Sequence, residues 1–110
     1  MSLGALRERI ERLAAAADVD PEEAREAFAA LRAALSRGEA RAAEPDPSSP
    51  TGWRVNVWVK QGILLGFRHG TLVDLSMDHG RLPFFDKDTL PLKRLDVAAG
   101  VRLVPGGSAV

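Results

Sequence analysis

The segment 53–68 (WRVNVWVKQGILLGFR) constrains the fold more than any other part of the chain, because it is the densest apolar run. It contains both tryptophans and one of the four phenylalanines. From Trp53 to Val59 every second residue is apolar and favours β-structure, which is typical of a strand. Gln61 and Gly62 would then form the turn that ends this strand.

The same segment can also form a helix. Four large apolar residues would then share one side: Trp53, Val57, Leu64 and Phe67. Gly62 and Gly66 would each cost about 1 kcal/mol relative to alanine, and Arg68 would complement the dipole at the helix end. Trp58, inside the apolar run, is the candidate core residue. The local pattern leaves strand and helix open.

Two amphipathic helices are predicted before this segment. The first has apolar residues at three- and four-residue steps: Leu3, Leu6, Ile10, Leu13 and Ala17. The second begins at Asp20, which can cap free N–H groups, and Pro21, which needs no donor at the first position. Its apolar stripe is Ala24, Phe28, Leu31 and Leu35, and Gly38 can close it. Each helix has one apolar face that must pack on another element.

The remaining residues predict a loop and short extended segments. Prolines and glycine make residues 43–52 a loop. Extended segments are predicted at 71–76, 82–86 and 101–104. Pro91 prevents a continuous helix after residue 88. The sequence therefore predicts an α+β fold, mainly helical, with short strands and no internal repeat.

Composition excludes several classes of function. The chain of 110 residues has 15 basic and 15 acidic residues, which gives no electrostatic reason to expect nucleic acid or an acidic membrane as partner. The lack of cysteine excludes a disulfide framework, a thiolate zinc site and a cysteine nucleophile. Charged residues interrupt the first apolar stretch, so neither a signal peptide nor a membrane span is predicted there, and a cytoplasmic location is expected.

The other polar residues have ordinary structural interpretations. Asp86 and Lys87 would form a local ion pair after an aromatic anchor at 84–85. Asn56 and Lys60 lie one helical turn apart and could reach a neighbouring element, but a solvated edge is the expected location. The two histidines, His69 and His79, each precede a turn glycine and are expected at the surface. Together they make a poor metal site. No metal or cofactor ligand is therefore expected.

Four motifs in order resemble the tetrahydrodipicolinate N-succinyltransferases, a family of hexapeptide-repeat acyltransferases. They are GEARAAE at 38–44, the segment 53–68, FFDK at 84–87 and GVRLVP at 100–105. The likeness covers residues 36–110 roughly as the family spaces them, whereas residues 1–35 match only in helical character. The family has a helix at the second of these motifs, so the resemblance favours a helix from about Asn56 to Arg68 over the strand.

The resemblance also implies a domain plan and one site residue. Residues 1–100 would form the N-terminal domain, and residues 101–110 would begin the segment that leads into a left-handed β-helix absent from this chain. Arg102 would contact a dicarboxylate substrate, since a guanidinium offers two parallel N–H donors to a carboxylate. By itself, an arginine between Val101 and Leu103 is usually only solvent-facing.

The function implied by the resemblance is transfer of succinyl from succinyl-CoA to the amino group of tetrahydrodipicolinate, taken as 2-amino-6-oxopimelate, in lysine and diaminopimelate biosynthesis. The full enzyme would be a homotrimer whose β-helix binds the co-substrate. No catalytic residue is assigned within this chain, which is expected to be inactive alone. Two alternatives stay open: an N-acetyltransferase variant, and a free-standing protein–protein interaction domain without catalysis.

Overall fold

A computed structural model describes residues 1–104 and shows three helices and two small antiparallel hairpins, one before and one after the third helix. The helices are α1 (Leu3–Ala15), α2 (Pro21–Ser36) and α3 (Val57–His69). The start of α2 is as predicted, because the Asp20 carboxylate accepts a hydrogen bond from the Glu22 N–H at 3.2 Å and Pro21 occupies the first turn. Gly38 follows α2 with a φ of 75°, the left-handed conformation that closes a helix. No helix among these residues is long and apolar enough to cross a membrane.

The core lies where α1, α2 and α3 meet. The predicted stripes contribute half of its buried side chains. Of their other members, Leu3 is exposed, Leu35 is partly buried and Ala17 lies beyond the end of α1. Ile10, Leu31 and Val59 are the largest fully buried side chains, one from each helix. Trp58 is 6% exposed, which confirms it as a core residue.

Segment 53–68 divides between the two predicted structures. Residues Trp53–Val55 form strand β2, and α3 begins two residues later, within one residue of the helix that the resemblance favours. Strand β2 pairs antiparallel with β1 (Ala43–Pro45), so the prediction of a loop over 43–52 is wrong at its first residues. The Asp46 N–H donates to the Gly52 carbonyl at 2.8 Å and closes the connecting turn.

The buried side of α3 differs from the apolar side read off the sequence. Trp53 lies outside the helix, and the remaining members of that set are exposed: Val57, Leu64 and Phe67. The buried side instead consists of five other residues, which include both glycines of the helix. They are Trp58, Val59, Gly62, Leu65 and Gly66. Counting large side chains selected the wrong side, because the closest helix contacts are made where side chains are absent.

Gly62 and Gly66 allow the neighbouring helices to touch the backbone of α3. A Cβ atom added to Gly62 would lie 2.4 Å from Cδ2 of Leu31. One added to Gly66 would lie 2.6 Å from the Phe28 ring. Both distances are far below van der Waals contact, so an added side chain at either position would force Leu31 or Phe28 to move. The cost in helix propensity is therefore offset by close packing.

A second hairpin follows α3. Strand β3 (Leu72–Asp74) pairs antiparallel with β4 (Phe85–Lys87), within or next to the predicted extended segments. The turn at its far end contains a 3-10 turn, Asp78–Gly80. Beyond β4 the described chain is irregular, except for a 3-10 turn at Val97–Ala99. Residues 101–104 pair with no strand among the described residues, and their predicted extended conformation stays a prediction.

The aromatic anchor predicted at 84–85 is wrong. Phe85 is 64% exposed and Phe84 is 37% exposed, so neither ring belongs to the helical core. The hairpin is held instead by polar contacts near its base. Its two strands alone would be marginally stable, as isolated hairpins are.

Trp58→Ala is expected to lower the free energy of unfolding by about 3–5 kcal/mol, because truncating a buried aromatic leaves a cavity. Trp53→Ala is the matched control, because Trp53 is 55% exposed. This substitution should lower the free energy of unfolding by less than about 1 kcal/mol. Urea unfolding followed by far-ultraviolet circular dichroism measures both. Equal losses in the two variants would contradict the placement of Trp58 in the core.

Gly66→Ala is expected to destabilise the fold by about 1–3 kcal/mol, despite alanine's higher helix propensity, because its methyl group would overlap the Phe28 ring. Gly4→Ala in α1 is the control, since nothing lies within 4 Å of its Cβ position. That variant should be neutral or stabilised by up to about 1 kcal/mol. A stabilised Gly66→Ala protein in the same unfolding assay would show that α2 and α3 are not in close contact there.

Candidate functional site

Arg102 lies on an exposed segment after the second 3-10 turn. The Asp96 carboxylate caps this turn by accepting from the Ala99 N–H at 3.1 Å, and Gly100 then takes a φ of 72°. An open depression of about 570 Å³ has Arg102 in its wall together with the apolar residues around it: Val97, Val101, Leu103 and Val104. Arg102 forms no hydrogen bond or ion pair with residues 1–104, so its guanidinium is available to a ligand.

The structure does not place Arg102 beside any other predicted polar residue. Its depression contains one charged side chain and no histidine or carboxylate. It can therefore hold a carboxylate, but it offers no base for proton transfer within the described residues. The role of Arg102 in substrate binding stays a prediction.

A group of hydrogen bonds between the helices and the second hairpin (β3–β4) was not predicted. We call this group, centred on Arg25 and Asp88, the latch. The Arg25 guanidinium of α2 donates to both carboxylate oxygens of Asp88, at 3.0 and 2.8 Å, and also to the His69 carbonyl at 2.9 Å. The Thr71 N–H donates to the same carboxylate at 2.9 Å. Two ends of the hairpin and the end of α3 are thereby tied to one arginine. A bidentate pair of this kind fixes orientation as well as distance.

Thr89 extends the latch into the core. Its hydroxyl donates to the Gly66 carbonyl at 2.8 Å, and its own carbonyl accepts a hydrogen bond from Arg32. Thr89 is the one buried polar residue among residues 1–104. Gly70 is close-packed here as well, since an added Cβ would lie 2.6 Å from the Thr89 hydroxyl oxygen. The chain that leads to Arg102 therefore starts from a fixed point.

The latch lowers the pKa of Asp88. The hydrogen bonds from Arg25 and then from the Thr71 N–H favour the carboxylate, so the pKa falls from its ordinary 3.8 to about 2. Both partners of the pair are about a third exposed, at 31% and 32%, so solvent screens much of their attraction. The latch therefore owes its rigidity to several donors on one carboxylate rather than to charge alone.

Asn56 was expected on a solvated edge, and this prediction is wrong. Its amide donates at 2.8 Å to the Arg41 carbonyl and at 2.8 Å to the Glu44 carboxylate, which ties the start of α3 to β1. The bond from Asn56 is the main cause of a lowered pKa for Glu44, with Arg54 adding to it. Lys60 is exposed, as predicted.

A cleft of about 490 Å³ lies beside Asn56, between α1 and the start of α3. Its two arginines are both paired with carboxylates: Arg7 with Glu11 at 2.8 Å, and Arg54 with Glu44. The charges in this cleft are thus compensated within the protein. The cleft has no free cation of the kind that Arg102 offers.

Two other sequence interpretations also change. Lys87 does not pair with Asp86 among the described residues; its ammonium group donates to the Gly70 carbonyl at 3.3 Å. His69 is the last residue of α3 rather than a surface turn residue, and its buried Nε2 has no hydrogen-bond partner in residues 1–104. His79 is exposed in the hairpin turn with a φ of 55°, as a turn residue can be. Within residues 1–104 no cluster of three metal-ligating side chains occurs.

Comparison with known proteins places the chain in a family. Residues 5–69 match the family described as tetrahydrodipicolinate N-succinyltransferase N-terminal. The chain is 42% identical over 80 residues to the 2,3,4,5-tetrahydropyridine-2,6-dicarboxylate N-succinyltransferase of Xylella fastidiosa (strain 9a5c), covering 68% of this chain and 27% of that protein. It is 36% identical over 116 residues to the protein of the same name from Granulibacter bethesdensis, covering 96% of this chain and 40% of that protein. The chain therefore belongs to this family, and the resemblance seen in its motifs is confirmed. The expectation that residues 1–35 match only in helical character is wrong, because the family match begins at residue 5.

The match covers only part of each relative. A third protein of the same name, from Alkalilimnicola ehrlichii, is 42% identical over 96 residues, or 81% of this chain and 32% of that protein. The chain thus spans between about a quarter and two fifths of these relatives' length.

Asp88→Asn tests the latch through its pH dependence. A lowered pKa in the folded state means that the Asp88 carboxylate stabilises the fold above the ordinary pKa, and that this contribution disappears as the pH falls through about 2. Thermal unfolding should therefore show a wild-type advantage over Asp88→Asn that is constant above about pH 5 and shrinks as the pH falls towards 2. Asp86→Asn, at a neighbouring exposed carboxylate, serves as control. An advantage that does not change with pH would be inconsistent with the latch.

Proposed function

We propose that this chain is the N-terminal domain of an N-succinyltransferase that transfers succinyl from succinyl-CoA to the amino group of tetrahydrodipicolinate, taken as 2-amino-6-oxopimelate. The step belongs to lysine and diaminopimelate biosynthesis. The observation that carries this proposal is the match to the Granulibacter bethesdensis protein, which leaves out only 4% of this chain.

The proposed role of Arg102 is to hold one carboxylate of the acceptor. The acceptor carries two carboxylates, and a guanidinium binds such a group through two parallel N–H bonds. The availability of the Arg102 guanidinium among residues 1–104 supports this role.

Acyl transfer needs more than this chain is proposed to supply. Attack of an amine on a thioester needs a base near the amine, donors for the oxyanion and a groove for the coenzyme. We assign these parts to a β-helix region of the complete enzyme, which would assemble as a homotrimer in the cytoplasm. The chain alone is then inactive and does not form a stable trimer.

Two other functions remain as alternatives. An enzyme of the same design could use acetyl-CoA, since the acyl pocket lies outside the assigned residues. A free-standing interaction domain is favoured by one observation, the exposed apolar residues of α3 and the hairpin. A catalytic assay separates the enzymatic readings from this one.

The test is a chimera in which this chain replaces the matched part of the Granulibacter bethesdensis protein. With tetrahydrodipicolinate and succinyl-CoA the chimera should release CoA, whereas the chain alone should not. Arg102→Lys in the chimera should lower kcat/KM for the acceptor by about ten- to a hundredfold, the value of a hydrogen bond to a charged group. The KM for succinyl-CoA should stay nearly unchanged.

Arg94→Lys is the matched control, because Arg94 is also exposed and lies on the same irregular segment. It should leave kcat/KM for the acceptor unchanged. If Arg102→Lys behaves like this control, Arg102 does not bind the acceptor. If a correctly folded chimera shows no CoA release with succinyl-CoA or acetyl-CoA, the enzymatic function itself is rejected in favour of the interaction domain.

A further inference from the structure

All the exposed residues of α3 lie on one strip of the helix, here called the outer strip. They are Val57, Lys60, Leu64, Phe67 and Arg68. At about 100° per residue, these positions fall within an arc of about 100°. The strip is opposite the side of α3 that packs on α1 and α2. It therefore forms a continuous surface that no element of residues 1–104 covers.

The outer strip is more apolar than the water-facing side of a helix normally is. Val57, Leu64 and Phe67 are 59%, 48% and 46% exposed. The solvent side of a surface helix ordinarily carries polar and charged residues. A row of large apolar side chains with a polar rim is instead typical of an interaction site.

The charges of the outer strip are all positive and lack partners. Helix α3 contains no aspartate or glutamate, and neither Lys60 nor Arg68 forms an ion pair within residues 1–104. The arginines of α1, by contrast, are all paired with glutamates: Arg7, Arg9 and Arg12. A surface that covers the outer strip is therefore complementary to it when it carries carboxylates of its own.

We propose that the outer strip is a docking surface for an acidic amphipathic helix of a partner protein. Such a helix would place its apolar row on Leu64 and Phe67 and its carboxylates against Lys60 and Arg68. These two cations are eight positions apart, or about 12 Å along the axis. Carboxylates seven or eight residues apart on a facing helix match this spacing. Recognition of an amphipathic helix through its apolar row is a common mode of protein binding.

A second copy of this chain fits the outer strip less well. In a symmetric dimer the same surface meets itself, so Lys60 and Arg68 of one copy would face the same cations of the other. Juxtaposed like charges disfavour such a complex. An anionic membrane supplies negative charge, but two cations give only about 2 kcal/mol of attraction. Membrane-binding clusters typically contain more basic residues than this.

The test uses the complete chain and a fluorescent synthetic helical peptide with an apolar row and two glutamates spaced to meet Lys60 and Arg68. In fluorescence polarisation, the glutamate peptide should bind about tenfold more tightly than the same peptide with glutamines, because the glutamine peptide cannot form the two ion pairs at the rim. Added salt should reduce this difference. Lys60→Glu/Arg68→Glu should reverse the preference, so that a peptide with lysines at these positions binds best.

Lys93→Glu/Arg94→Glu is the matched control, since it reverses two exposed cations outside α3 and should bind as the wild type does. Phe67→Ser should weaken binding of every peptide while circular dichroism remains unchanged. Equal affinity for glutamate and glutamine peptides, or no reversal in the charge-swapped variant, overturns the proposal. Binding to phosphatidylserine vesicles without peptide binding would assign the strip to a membrane. A dimer that Phe67→Ser dissociates in sedimentation would assign it to a second copy.

Discussion

The contact of α2 with the backbone of α3 is the constraint on which the other features depend. Gly62, Gly66 and Gly70 follow one another at four-residue steps, and an added Cβ would meet a neighbour within 3 Å at each of them. Leu31 and Phe28 fill the space at the first two positions, and Thr89 fills it at the third. This glycine row decides which side of α3 faces inward. It also leaves the Gly66 carbonyl accessible to the Thr89 hydroxyl, so the hairpin is attached where the helices are closest.

The latch and the glycine row act at neighbouring positions and join two different kinds of structure. The helical part has a core of its own, whereas the hairpin has only short strands and exposed apolar side chains. Arg25 of α2 binds the end of α3 directly at the His69 carbonyl and joins both ends of the hairpin through the Asp88 carboxylate. Solvent still screens this partly buried pair, so its charge attraction alone contributes little stability. Its value is geometric, because several directed bonds converge on Asp88 and fix how the hairpin leaves the helices.

The sequence predicted the elements better than their contacts. Helical periodicity and the cap at Asp20 located α1 and α2, since both signals are local. Alternation predicted a strand through Val59, but the strand ends at Val55, because burial of Trp58 and Val59 against two helices outweighs β-propensity. Family resemblance was needed to predict α3. The latch had no signal at all: Arg25 and Asp88 are 63 residues apart, and neither follows a recognisable pattern. Arg102 was identified by its motif, and its role remains a prediction.

The exposure of the last described residues bears on how Arg102 could act. After Leu90, every residue from 91 to 104 is exposed, and the only regular structure there is the short turn that Asp96 caps. Holding a loose segment in one conformation costs roughly 1–2 kcal/mol per residue, which is comparable to the value of one charge-assisted hydrogen bond to a carboxylate. Under the proposed function, Arg102 therefore binds its acceptor effectively only when further contacts order this segment in advance. The apolar side chains around it, Val101, Leu103 and Val104, are the groups through which the complete enzyme would make those contacts.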